Sequence, residues 1–182
     1  MKKKKTAVLL YPEFSEYELT VALSILMQGN KPIITVGIDS MPVKGESGLT
    51  CVPDTEIDDV DIQELDSLLL PGCMDISLLF DKDKWFAFIR KAVNEKMIIA
   101  SISSSPYLLA KAGVLKGKKY TIGMEEEVMR ELDVFEMEKY SRDLIVQDGN
   151  LITAKGSGFI EFGNLFGQAL GLEFDMRWYG KR

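Results

Sequence analysis

The apolar positions of this chain fall into short unbroken runs separated by stretches with helical spacing. Ala7, Val8, Leu9 and Leu10 form the first run, and a continuous apolar run of that length predicts an interior strand. Ser15 with Glu18 three residues later predicts a helix start closed by a capping box. Leu19, Ala22, Leu23 and Leu26 continue that helix, and Gly29 and Asn30 stop it. Residues 33–38 predict a second strand. Residues 67–70 predict a third, ending in Pro71-Gly72-Cys73. Trp85, Phe88, Ile89, Ala92 and Val93 mark a helix, and residues 97–102 the next strand. After a turn of three serines come a helix to Gly113, a strand segment at 119–122 and a helix from Met124. Residues 144–146 and 151–154, parted by Asp148-Gly149-Asn150, predict a hairpin. A last helix runs from near Phe159 to about Leu170, and residues 41–57, rich in Gly and Pro, predict a small hairpin excursion.

Strands alternating with helices predict an α/β fold with three layers, a mostly parallel central sheet and a ligand crevice at the strands' carboxyl ends. Three such ends converge: Leu10-Tyr11 near Glu18, the segment Leu70 to Cys73, and Ile102-Ser103. The 182 residues show no repeat and no linker, so residues 1–182 are expected to form a single domain.

Composition narrows the function. A net charge of −6 argues against nucleic acid as a partner. The lysines at 2–5 read as a solubilising terminus. The apolar stretch behind them is too short for a secretory signal and is followed by Glu13, Glu16 and Glu18. No stretch approaches membrane-spanning length, so no membrane is expected. Cys51 and Cys73 need not pair, which makes a reducing cytoplasm the default. Cys51 reads as structural or interfacial.

The sequence contains no histidine. That removes the Ser-His-Asp and Cys-His-Asp arrangements and most zinc sites. Lys, Tyr, Glu and Asp are the remaining general bases. The turn in "ASISSSPYLLAKAGVL" is the kind of strand-to-helix elbow that presents a nucleophile. Glu125-Glu126-Glu127 open a helix, where its dipole favours negative charge, so no metal site and no cofactor are expected. The tail "DMRWYGKR" reads as a surface or interface element.

"SEYELTVALSIL", "LLLPGC", "IIASISSSPYLLAKAGVLKGKKYT", "VQDGNLITAKGSG" and "FGNLFGQAL" occur in an order that resembles the ThiJ/PfpI superfamily, flavodoxin-like proteins related to class I glutamine amidotransferases. The likeness spans nearly the whole chain and implies a flavodoxin-like sandwich. It also implies a nucleophilic Cys on the turn, where this chain has Ser103. A His follows that Cys in the protease-like branch, where Ser104 stands; other members place a His within the segment 119–122, which has none. The implied glutamate contacting the nucleophile is Glu18. The implied Pro-Gly-Gly, whose second Gly offers an oxyanion-stabilising N–H, is Pro71-Gly72-Cys73. The expected site therefore comprises Ser103 and Glu18, with Gly72, Cys73 and Ser104 as binding residues.

A serine hydroxyl is a far weaker acid than a thiol and needs an adjacent base to attack. A carboxylate of ordinary pKa, about 4.3, is a poor one. The favoured expectation is a member of diverged site that binds an unknown small molecule or acts in stress response. The competing one is a hydrolase or lyase, an amidase, peptidase or glyoxalase-like enzyme, using Ser103 with Glu18 and the Ser104 and Cys73 N–H groups. Cys73 reads either as a relocated reactive thiol or as a small residue standing in for Gly. A transcriptional role would require an added helix-turn-helix domain, for which the chain has no room. A homodimer is expected, because the 42–53 hairpin and the tail offer uncovered edges. Elbow geometry further predicts a sparsely populated backbone conformation at Ser103 and Glu18 within hydrogen-bond reach of its hydroxyl.

Overall fold

A computed structural model describes residues 3–180. Strand β1 (Lys5–Leu9) leads into α1 (Glu16–Gln28) and β2 (Ile33–Gly37). Two short strands, β3 (Val43–Lys44) and β4 (Thr50–Cys51), pair with each other, and β5 (Thr55–Glu56) follows. Then come β6 (Leu65–Leu70), α2 (Asp83–Ala92), β7 (Ile98–Ile102), α3 (Pro106–Lys111) and α4 (Glu126–Leu132). The antiparallel pair β8 (Ile145–Asp148) and β9 (Leu151–Ala154) precedes α5 (Phe159–Ala169). The central sheet runs β5-β2-β1-β6-β7-β9-β8 and is parallel except at its β8 edge.

The expected α/β sandwich is therefore present, and its apolar runs are the middle of the sheet. Leu68, Leu69 and Leu70 of β6 are fully buried, as are Ala100 and Ile102 of β7. Strands covered on both faces lose the alternation that a half-exposed strand keeps. Helices α1 and α5 pack closely because Gly163 carries no side chain. A Cβ there would stand 2.8 Å from Val21 Cγ1 and 2.9 Å from the Ala22 backbone nitrogen. Among the described residues, no helix is long and apolar enough to cross a membrane.

Two expectations differ in detail. In the segment 119–122, Tyr120, Thr121 and Ile122 are buried but form no strand; among the described residues the segment makes one bridge, Tyr120 to Tyr140. The Thr121 N–H instead donates to the Thr153 hydroxyl. The excursion at 41–57 forms the expected hairpin only over β3 and β4; β5 returns to the central sheet as its edge. The tail docks on α1 through the Tyr179 hydroxyl, which donates to Ser24 Oγ at 2.8 Å.

The β7–α3 connection is held by one side chain. Ser105 Oγ donates toward the carbonyls of Leu70 and Ile102, meets Ser101 Oγ at 2.7 Å and accepts from the Ile102 N–H at 3.0 Å. Removing the hydroxyl strands buried polar groups, each costing about 1–3 kcal/mol. Ser105→Ala should lower unfolding stability by about 2 kcal/mol in urea denaturation, a larger loss than Ser77→Ala in the exposed turn after β6.

Candidate functional site

The site lies where β1, β6 and β7 end. Residues after β1 and after β6 are tied together by an antiparallel bridge between Phe14 and Cys73, with the Ser15 N–H donating to the Gly72 carbonyl and the Met74 N–H to the Glu13 carbonyl. After β7 the backbone turns sharply at Ser103, whose φ is +62°. A non-glycine residue adopts that region at a cost and needs surrounding structure to hold it. Two hydrogen bonds do so: the Ser103 N–H donates to the Ala154 carbonyl and the Gly123 N–H donates to the Ser103 carbonyl, both at 2.8 Å. The strained elbow expected at this serine is present.

Glu18 comes from the first turn of α1 and is only 1% exposed. It does not close the capping box, and the Ser15 side chain does not cap the helix. Ser15 Oγ donates instead to Glu46 Oε1 at 2.8 Å, and Glu18 Oε2 accepts the Gly72 N–H at 2.7 Å. The fixed donor beyond β6 outcompetes the local N–H, because a carboxylate buried this deeply needs strong partners. Gly72 is required for the approach. A Cβ there would lie 2.5 Å from Glu18 Oε2 and 2.8 Å from Ser103 Oγ. Glu18 and Ser103 thus share one glycine face, as the sequence led us to expect.

Burial raises the Glu18 pKa above the ordinary 4.5; the Gly72 N–H and the Ser103 and Tyr17 hydroxyls oppose that rise, and the Glu46 charge adds to it. Burial also pushes the Cys73 thiol up to about 12, with Asp75, Glu13 and Glu18 adding repulsion and the Ser104 hydroxyl opposing. A thiol in that state stays protonated at neutral pH and is a poor nucleophile. The Cys73 N–H, expected to face an oxyanion, donates to Ser104 Oγ at 3.1 Å, and Ser104 Oγ in turn approaches the Cys73 carbonyl at 3.2 Å. A change of the Ser104 χ1 rotamer, which moves Oγ itself, would free that donor. Both cysteines are free.

Ser103, Ser104, Cys73 and Glu18 line a cleft of about 500 Å³ together with Tyr17, Glu46, Met74, Ile76, Met124 and Val128. A larger hollow, about 680 Å³, sits beside Lys3, Lys31 and Asp66 at the strands' amino ends, away from the elbow. The sequence reading missed Tyr17 and Glu46. Neighbouring positions on a helix do not normally face each other, so nothing linked Tyr17 to Glu18. Glu46 arrives from the β3–β4 hairpin, and no local pattern announces that placement.

The profile of the DJ-1/PfpI family matches residues 4–167. The chain is 30% identical over 154 residues to protein/nucleic acid deglycase 2 of Escherichia coli, covering 84% of this chain and 88% of that protein. It is 30% identical to protein DJ-1alpha of Drosophila melanogaster, covering 85% and 71%. Its fold superposes on a DJ-1 superfamily protein from Agrobacterium tumefaciens with a TM-score of 0.82 at 22% identity, over 97% of this chain and 95% of that one.

A carboxyl whose pKa is higher folded than unfolded contributes stability that is complete below the unfolded value and is lost as pH rises through the folded one. For Glu18 that window opens near 4.5. Wild type should therefore lose stability relative to Glu18→Gln as pH climbs out of this window, by about 1.4 kcal/mol per unit of elevation; paired urea titrations across the acid-to-neutral range measure the difference, and a pH-independent gap would contradict it. On both the profile match and the identity to its relatives, this chain belongs to the DJ-1/PfpI family.

Proposed function

We propose that the chain is a DJ-1/PfpI protein of diverged site, whose elbow cleft binds a small polar molecule without forming a covalent bond to it. The observation that carries this reading is the pairing of Ser103 with the Glu18 carboxyl, in a sequence without histidine. Each pKa unit separating a hydroxyl from the base that must deprotonate it costs about 1.4 kcal/mol. Burial of Glu18 narrows that gap, but the usual partner that activates a serine, a histidine, is missing from the sequence. Cys73 offers no substitute while its thiol stays near 12. The cleft itself is suited to binding, since hydroxyls and carboxyls line it together with Met74, Ile76, Met124 and Val128.

The competing reading is a hydrolase or lyase in which Glu18 takes the Ser103 proton. The raised Glu18 pKa and the relatives named as deglycases favour it. Methylglyoxal, aminopeptidase and ester substrates, offered to wild type and Ser103→Ala, separate the two. We expect no turnover that depends on Ser103. Turnover that disappears in Ser103→Ala would establish the enzyme.

The same reading places the protein in a reducing cytoplasm, which its two free thiols suit, and gives it a second copy of itself as partner. Met41, Leu49 and Val52 around the β3–β4 hairpin are 58–68% exposed, and a cluster of large apolar side chains on one excursion favours burial against a partner. Sedimentation velocity at micromolar concentration should show a dimer; monomer alone would refute the pairing.

A further inference from the structure

Glu18 is held from two sides, and only one of them is main chain. Its Oε2 accepts the Gly72 N–H. Its Oε1 accepts the Tyr17 hydroxyl at 3.2 Å. The Tyr17 ring is fixed in turn by an edge-on contact with Phe159, the first residue of α5, with centroids 5.5 Å apart and planes at 86°. Gly156, just before α5, leaves room for this arrangement. A Cβ there would lie 2.5 Å from Glu18 Oε1, 3.0 Å from the Tyr17 hydroxyl and 3.3 Å from Ser103 Oγ. Three functional oxygens thus converge on the space over one glycine. Tyr17 is also 46% exposed and lines the cleft, so the group that holds Glu18 stands at the entrance.

We infer that Tyr17 is the positioning residue of this site: its hydroxyl fixes Glu18 Oε1 and keeps the carboxylate an acceptor toward Ser103 and toward any ligand in the cleft. Neighbours on other elements cannot replace it. Glu46 from the β3–β4 hairpin adds negative charge and opposes ionisation of Glu18. Cys73 from the loop after β6 stays protonated. Tyr11, beneath the site, spends its hydroxyl on the Pro71 carbonyl. Only the Gly72 N–H, the Ser103 hydroxyl and the Tyr17 hydroxyl favour the ionised form. Of these, Tyr17 alone can swing away without disturbing the elbow. The inference stands whether or not the cleft proves catalytic, because it concerns the state of Glu18 rather than turnover.

Tyr17→Phe removes the donor and keeps the ring on Phe159, whereas Tyr17→Ala removes both. The readout is the side-chain carboxyl titration of Glu18 by carbon-detected NMR on glutamate-labelled protein, with Glu18→Gln assigning the signal. Both Tyr17 variants should raise the Glu18 midpoint by about one pH unit, the scale of one lost hydrogen bond to a charged group. At acidic pH, where Glu18 is protonated folded and unfolded, only Tyr17→Ala should also lower the melting temperature. An unchanged midpoint in Tyr17→Phe would overturn the inference. So would a shift confined to Tyr17→Ala, because packing rather than the hydroxyl would then be responsible.

Discussion

A single reversed turn organises this molecule's carboxyl-end surface. Ser103 sits at φ +62°, a conformation that the isolated chain would rarely visit. It persists because the neighbouring segments over-determine it. The Ala154 carbonyl holds its N–H, the Gly123 N–H holds its carbonyl, and Ser105 ties the turn back to β6 and β7. Each of those partners belongs to a different part of the chain. Forming the sheet in its β6-β7-β9 order is therefore what makes the elbow possible, and the elbow in turn aims the Ser103 side chain at Glu18. Stability and site geometry here have one origin, so damage to the Ser105 network would degrade both.

Glu18 shows how tertiary structure reassigns a residue that local rules had already claimed. The pattern Ser15-x-x-Glu18 satisfies a capping box, and α1 does begin after Ser15. The carboxylate nevertheless turns away from its own helix end to the Gly72 N–H. A capping bond at an exposed helix start contributes about 1 kcal/mol. A buried carboxylate left without donors costs several times that, so the interior partner wins. Glu16 takes up the role of tying α1 to the hairpin, accepting the N–H groups of Ser47 and Leu49.

The same competition explains what could be read from the amino-acid pattern. The core strands were legible because Leu68-Leu69-Leu70 and Ile98 to Ile102 are continuous apolar runs, and such runs have few uses in a chain of this size. Segment 119–122 carries the same signal, for Tyr120 and Ile122 are fully buried. Burial without a strand partner leaves the same trace in the sequence as burial within a sheet. Strand β5 left none, since Thr55 and Glu56 are polar and its identity comes entirely from pairing with Val36 and Gly37. At the site, Ser103 and Glu18 were visible through family resemblance. Tyr17, Glu46 and Gly156 were not, because their meeting depends on how α1, the hairpin and the start of α5 lie together.

The serine also changes what the pair can do electrostatically. Were residue 103 a thiolate, its charge would stand beside a carboxylate. Two like charges about 4 Å apart repel by about 4 kcal/mol at an effective dielectric near 20, equivalent to about three pKa units. Such a pair is driven to share one proton, and the carboxyl spends its time as a donor to the sulfur. A hydroxyl removes the competing charge, so Glu18 becomes the single titrating member and is free to ionise as far as its burial allows. The cleft then presents a carboxylate acceptor beside a neutral hydroxyl, with the Glu46 carboxylate nearby. Hydrogen-bond donors on a bound molecule would complement acceptors so placed, in keeping with the non-covalent binding proposed above.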